Sequence, residues 1–374
     1  MNKSKRIKSI DFFRGLCITW MIFGHLSEWW MTNSTFSFVN LSGFFTIIDF
    51  LGAAGLLFIS GMSITISYRK KLNLSQHSED FNFKKYRTEY IIRALLLFLI
   101  GIMYNLFESI KVEDASKIWI WFILQTLPIC LLIAWPILKL NKYFKLLIGI
   151  IFLAVNEVLT YYLLQYEDQY ETMGGIFFYI LYNGINLSPI LQFFSFFIFG
   201  SFIGDVIHEK ISLIKDGYHI HTLFLKKITL PLLGMGLCLL ITSTIFLPNN
   251  PFQDYYFPRN FSWILYSIGG LACLYTIILT IEKLEMIKIK SKYRFFYYFS
   301  FYSFTAFLIH LPLYYLFEKK LDLLSFLIII PITIFLFGIF LRILHMKLNT
   351  YISIKAQLSR VSSYLADFLL KKKS

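Results

Sequence analysis

Apolar residues run along this chain in ten blocks of about 20, near positions 10–31, 44–67, 89–108, 117–138, 143–164, 188–207, 224–247, 261–282, 295–317 and 323–346. A block of that length spans a hydrocarbon core of roughly 30 Å as a helix, the one single-segment structure that satisfies its own backbone hydrogen bonds there. The pattern predicts an all-α polytopic membrane helix bundle of about ten transmembrane helices. No soluble domain fits between them, because the longest polar connection is 69–85. The last stretch has a different rhythm. Tyr351, Ile354, Leu358, Val361, Leu365 and Phe368 recur at spacings of three and four, which predicts a C-terminal amphipathic surface helix beside Lys371 to Lys373.

Composition agrees: 57% of residues are hydrophobic and 16% charged, outside the range of soluble domains. An even number of spans puts both termini on one side. With loops assigned alternately, Lys111, Lys117, Arg259, Lys319 and Lys320 are the members of the 36 Lys and Arg that fall opposite the termini. The positive-inside rule then makes both termini cytoplasmic in a multi-pass protein of the cell membrane. A net charge of +14 reads as topology and attraction to anionic membrane lipid, and calls for no nucleic acid partner. The first block follows basic residues as a signal peptide's would, yet it is too long and lacks a small-residue cleavage site, so it is expected to be retained. Cys17, Cys130, Cys238 and Cys273 stand singly in apolar blocks, a pattern of free thiols.

Arg14 and His25 share the first block. At 100° and 1.5 Å per residue they fall on nearly one helix face, about 16 Å apart. Ionisable groups in an apolar span are costly and point first to function. Arg14 would lie near the cytoplasmic mouth, suited to a phosphate-bearing ligand, and His25 beyond the midplane with Glu28 one turn further on. A histidine beside a carboxylate suits a general base. The bland alternative has Arg14 snorkelling to the interface and His25 bonding a backbone carbonyl. His310, in a block running the same way, is expected at the depth of His25, and two histidines at one level suggest a lined cavity.

Asp49, Gln125, Asn156, Glu157, Asn183, Asn186 and Gln192 either line that cavity or bond between helices. Arg93 and Arg342 join Arg14 on the cytoplasmic side, as phosphate ligands or as topology signals. The aromatic, acidic loops Tyr166–Glu171 and 248–260 would suit a polar acceptor such as a sugar, or are solvated loops with interfacial Tyr anchors. The two histidines lack companions at ligand spacing, so no metal is expected.

These residues resemble the transmembrane acyltransferase superfamily. Arg14-Gly15 with His25, Leu57-Phe58-Ile59-Ser60-Gly61 and Phe307-Leu308-Ile309-His310-Leu311-Pro312 resemble the acyltransferase-3 signature. Ile10 to Gly15, Met21-Ile22-Phe23, Arg93 to Gly101 and Ile123-Leu124-Gln125-Thr126 look closer to the heparan-α-glucosaminide N-acetyltransferase-like branch. Ala54, where the first pattern has an acidic residue, and Thr126, where the second often has Arg, leave the branch and the acceptor open. The resemblance implies transfer of an acyl group, usually acetyl, from cytoplasmic acyl-CoA as co-substrate to a hydroxyl or amine of an extracytoplasmic acceptor, a sugar or glycan. It implies His25 as general base or transiently acylated group, Glu28 or Asp49 supporting it, His310 positioning acceptor or thioester, and Arg14, Arg93 and Arg342 toward the CoA phosphates. Residues 1–348 would form the transmembrane acyltransferase-like domain and 349–374 a cytoplasmic amphipathic tail. A homodimer is compatible with this reading. The competing classes are a transporter or lipid-handling protein with a polar cavity and no covalent chemistry, and a scaffold whose polar residues only bond helices. The absence of a visible internal repeat argues mildly against the transporter.

Overall fold

A computed structural model describes residues 6–78, 81–113, 118, 122–167, 169, 171–181, 190–213, 220–246, 261–286 and 295–371. Among them the protein is helical throughout, with α1 (Lys8–Trp30), α2 (Asn33–Leu41), α3 (Phe44–Ile48), α4 (Ala53–His77), α5 (Phe83–Val112), α6 (Ile123–Leu138), α7 (Lys142–Leu163), α8 (Met173–Leu181), α9 (Ile190–Leu213), α10 (Ile220–Phe224), α11 (Leu230–Ile245), α12 (Phe261–Lys283), α13 (Phe295–Phe301), α14 (Ser303–Ile309), α15 (Leu323–Lys347) and α16 (Ile354–Lys371). It is a multi-pass membrane protein. Among the described residues seven helical stretches are long and apolar enough to cross a bilayer, or eight if the pair formed by α13 and α14 with the following turn counts as one span.

Each of the ten predicted blocks contains helix, but not every one makes a straight, wholly apolar span. In α1, Arg14, His25 and Glu28 dilute the hydropathy, and α6 has only 16 residues. The ninth block is bent by 85° between Phe301 and Ser303, where a straight span was expected. No proline or glycine stands at that bend. Tertiary bonds hold it: the Tyr302 hydroxyl donates to the Asn349 carbonyl at 2.5 Å and the Thr305 hydroxyl to the Ile352 carbonyl at 3.1 Å.

The chain divides into two compact units, Met1–Ile59 with Ile214–Gln357, and Ser60–Leu213 with Leu358–Ser374. In the first, Ile18, Ile22, Leu26 and Trp30 of α1 recur at helical spacing and bury against Phe299, Tyr302 and Ala306 and against Ile330, Ile334, Phe337 and Leu341 of α15. Both ends of α1 are capped from distant sequence. The Glu282 carboxylate of α12 accepts from the Lys8 and Ser9 backbone N–H groups at 2.9 and 2.6 Å, which otherwise have no partner within the helix. At the other end the Glu28, Trp29 and Trp30 carbonyls accept from the Lys319 ammonium, the Lys319 N–H and the Leu321 N–H at 2.8, 2.9 and 2.7 Å. A negative group at the N-terminus and a positive one at the C-terminus both oppose the helix dipole. Gly15 lets α1 touch α13: a Cβ there would lie 1.9 Å from the Phe296 carbonyl oxygen.

In the second unit α9 is the central helix, with Phe193, Phe194, Phe196 and Phe197 wholly buried. A Cβ on Gly61 would lie 2.0 Å from the Phe197 carbonyl oxygen, so that glycine permits the closest approach of α4 to α9. The amphipathic helix predicted near the C-terminus forms as α16. From Leu358 onward it lies along α5 in a polar ladder, with Arg93 donating to Ser359, Ser363 to Glu89 and Lys85 to Asp367 at 3.0, 2.8 and 2.8 Å. Both sets of partners are four residues apart, one turn on each helix. Gln125 bonds α6 to α5 through the Gly101 carbonyl and Asn105 at 2.7 and 2.9 Å, the interhelical alternative of the sequence reading.

Candidate active site

The far end of α1 carries His25, Trp29 and Trp30 at helical spacing, and the turn that ends α14 carries His310. Capping by the 319–321 segment and the Trp30 indole, which donates to the Leu313 carbonyl at 2.8 Å, fix that end of α1 to the segment after His310. The three rings stack. His25 lies 5.4 Å from His310 and 5.1 Å from Trp29 between centroids, and Trp29 lies 5.5 Å from His310 at an interplanar angle of 10°. Tyr314 meets Trp29 edge-on at 5.6 Å. Neither Trp29 nor Tyr314 was singled out from sequence, although an aromatic one turn from an intramembrane histidine is a readable signal.

His310 is fully buried, and its Nδ1 donates to the Phe307 carbonyl. A ring that donates from Nδ1 in its neutral form leaves Nε2 as an acceptor. That Nε2 has no hydrogen-bond partner among the described residues. An unpartnered polar atom in an apolar interior is costly, and natural sites retain one where a ligand or chemistry uses it. His25 is only half-buried, and Gly24 beside it faces open space: a Cβ there would meet no atom within 4 Å.

The other sequence-predicted residues fall as follows. Glu28 is exposed; no hydrogen bond joins it to His25 among the described residues, and its carbonyl is taken by Lys319. Asp49 is half-buried in a 3₁₀ turn, Asp49–Leu51, next to α12, where Tyr266 donates to the Ile47 carbonyl at 2.9 Å. Arg14 is half-buried at the opposite end of α1 from His25, one turn past Asp11, and Asp11 pairs with Arg6 at 2.6 Å. Arg6 also lies over the Tyr297 ring at 5.5 Å, so this end of α1 gathers two guanidinium groups and an aromatic face. Arg342 is exposed on α15. Arg93 belongs to the second unit, where it meets Ser359 as described. Of the two candidate acceptor loops, 248–260 lies outside the described residues, as do Asp168, Tyr170, Asn183 and Asn186. Among the described residues no cluster of three or more His, Cys, Asp or Glu side chains has the arrangement of a metal site.

The second unit holds an ionic cluster that the sequence reading passed over. Asp205 pairs with Arg69 at 2.7 Å and with fully buried Lys145 at 2.7 Å, and the Arg69 guanidinium also donates to the Leu140 carbonyl at 2.7 Å. A carboxylate set directly after the apolar run of α9 was the available signal.

Comparison with known proteins gives one finding. The family described as "heparan-alpha-glucosaminide N-acetyltransferase, catalytic" matches residues 6–225, more than half of the chain. No curated protein and no solved structure matches. The matched stretch contains Arg14, His25, Glu28, Asp49 and Arg93, and ends before His310.

Proposed function

The chain belongs to the heparan-α-glucosaminide N-acetyltransferase catalytic family, a family of membrane acetyltransferases, and from that premise we propose how it works. Acetyl-CoA is the donor and reaches the bundle from the cytoplasm at the N-terminal end of α1. Arg14, supported by Arg6, faces its phosphates, because a guanidinium binds phosphate oxygens in pairs. Eleven residues of helix, about 16 Å, separate Arg14 from His25, a span suited to an extended thioester arm. The acceptor approaches from the other side and is an amine or hydroxyl of a glucosamine-type sugar. Its proton passes to a histidine of the His25–His310 pair as the acetyl carbonyl is attacked.

The observation that carries this reading is the stack itself. Two imidazoles from separate segments meet, and one of them is fully buried with a nitrogen that no group among the described residues satisfies. Residues 1–348 act as the catalytic membrane domain and 349–374 as a cytoplasmic tail, with both termini cytoplasmic in the cell membrane.

The test is thermal stability of the purified full chain in detergent with acetyl-CoA, CoA or a nucleotide lacking the pantetheine arm. Binding to the folded state raises the melting temperature, and 100-fold saturation corresponds to about 2.7 kcal/mol. A rise with acetyl-CoA that Arg14→Ala abolishes supports the donor site. No rise with either thioester or thiol, in folded protein, turns the reading toward a transporter.

A further inference from the structure

Of the two stacked histidines the family-matched segment contains His25, yet its surroundings are not those of an oriented base. A general base is held by a third group that fixes its tautomer and aims its lone pair. The carboxylate expected to do this for His25, Glu28, is exposed and makes no hydrogen bond to it. His310 has what His25 lacks. Its Nδ1–H is tied to the Phe307 carbonyl, its ring is clamped flat against Trp29, and Nε2 is left buried with no partner.

The near-parallel stack also separates the roles of the two rings. His310 Nδ1 is engaged by the Phe307 carbonyl and no hydrogen bond joins Nε2 to His25 among the described residues, so the pair does not work as a direct proton relay.

We infer that His310, outside the family-matched segment, is the proton-accepting residue of the transfer, and that His25 positions the reactants by packing. This rests on the acetyltransferase reading above. In the step, the acceptor N–H or O–H gives its proton to His310 Nε2 while the acceptor lone pair forms the bond to the acetyl carbonyl carbon. The C–S bond then breaks, its electron pair leaves on sulfur, and the thiolate takes the proton back from Nε2. The products are acetylated acceptor and CoA thiol, and His310 returns to its starting tautomer.

The experiment compares His310→Asn, His310→Gly and His25→Asn with wild type in full-length protein. The readouts are thiol release from acetyl-CoA, with glucosamine, a glucosamine oligosaccharide or water as acceptor, and the acetyl-CoA-induced melting shift. Asparagine keeps an N–H donor near the Nδ1 position, so His310→Asn retains the donor to Phe307 while it removes Nε2 together with the rest of the ring. The expected result is a loss of about 100-fold or more in turnover for His310→Asn with the melting shift intact, a loss of about tenfold for His25→Asn, and partial rescue of His310→Gly by free imidazole. Turnover within threefold of wild type in His310→Asn overturns the assignment and leaves the acetyltransferase reading standing. Wild type that releases no thiol with any of the three acceptors and gains no stability from acetyl-CoA overturns both.

Discussion

The two buried ionisable clusters of this protein are built on opposite plans. In the second unit Asp205 is shared between Arg69 and Lys145, and a backbone carbonyl takes a further guanidinium hydrogen. Every strong interaction there is directed inward to another protein group, which is the signature of a structural tie. In the first unit the His25 and His310 rings stack, and the buried His310 nitrogen that could accept a proton has no partner among the described residues. Burying a polar acceptor without a partner is costly, and natural sites keep one where a ligand or chemistry uses it. The paired cluster is therefore expected to govern stability and the unpartnered one activity.

That contrast is broken most sharply at Asp205. Asp205→Asn leaves fully buried Lys145 and half-buried Arg69 without their counter-charge, a situation that costs about 3–5 kcal/mol, and the variant is expected to melt far below wild type or fail to accumulate in the membrane. His25→Asn and His310→Asn are expected to melt within a few degrees of wild type. If Asp205→Asn instead kept its stability and lost only turnover, the structural assignment of the second cluster would be wrong.

Smaller effects sharpen the picture along α1. Gly15→Ala drives a methyl group into the Phe296 carbonyl and is expected to cost about 1–3 kcal/mol in a melting experiment, whereas Gly24→Ala, facing open space, is expected to be stable and to alter only acceptor use. Glu282→Ala removes the acceptor for the Lys8 and Ser9 N–H groups and is expected to cost about 1–2 kcal/mol, the usual range for a lost helix cap. The smallest effect concerns pH. Hydrogen bonds from the Ser325 hydroxyl and N–H hold the Asp322 carboxyl, which caps α15, below its ordinary range. A carboxyl depressed in the folded state contributes stability above its unfolded pKa and loses it as pH falls through the folded value. Acid melting curves of wild type are expected to fall more steeply there than those of Asp322→Ala.

Much of this was legible in the sequence, for identifiable reasons. Block length and apolarity specify membrane helices because hydrocarbon allows few other solutions, and Arg14, His25 and His310 stood out because charge is rare in such blocks. The equal depth expected for His25 and His310 follows from two segments starting at the same side, and the rings do meet. What sequence did not reveal depends on partners far along the chain. Glu28 shares a face with His25 by helical spacing, but its carbonyl and the end of α1 are claimed by Lys319 and Leu321, and no local rule announces that. The bend at Tyr302 has the same origin, since it is held by Asn349 and Ile352 rather than by a proline. Asp205 was readable by the rule that found Arg14, but its partners Arg69 and Lys145 were absorbed into the count of topology-setting charges.

The central claim is tested most directly by following a labelled acetyl group. Full-length protein in liposomes is given radiolabelled acetyl-CoA on one face and a glucosamine oligosaccharide on the other, for wild type and for a His25→Asn/His310→Asn double variant of matched stability. The account predicts label on the amino sugar with wild type and none above background with the double variant. Equal labelling by the two proteins would contradict it.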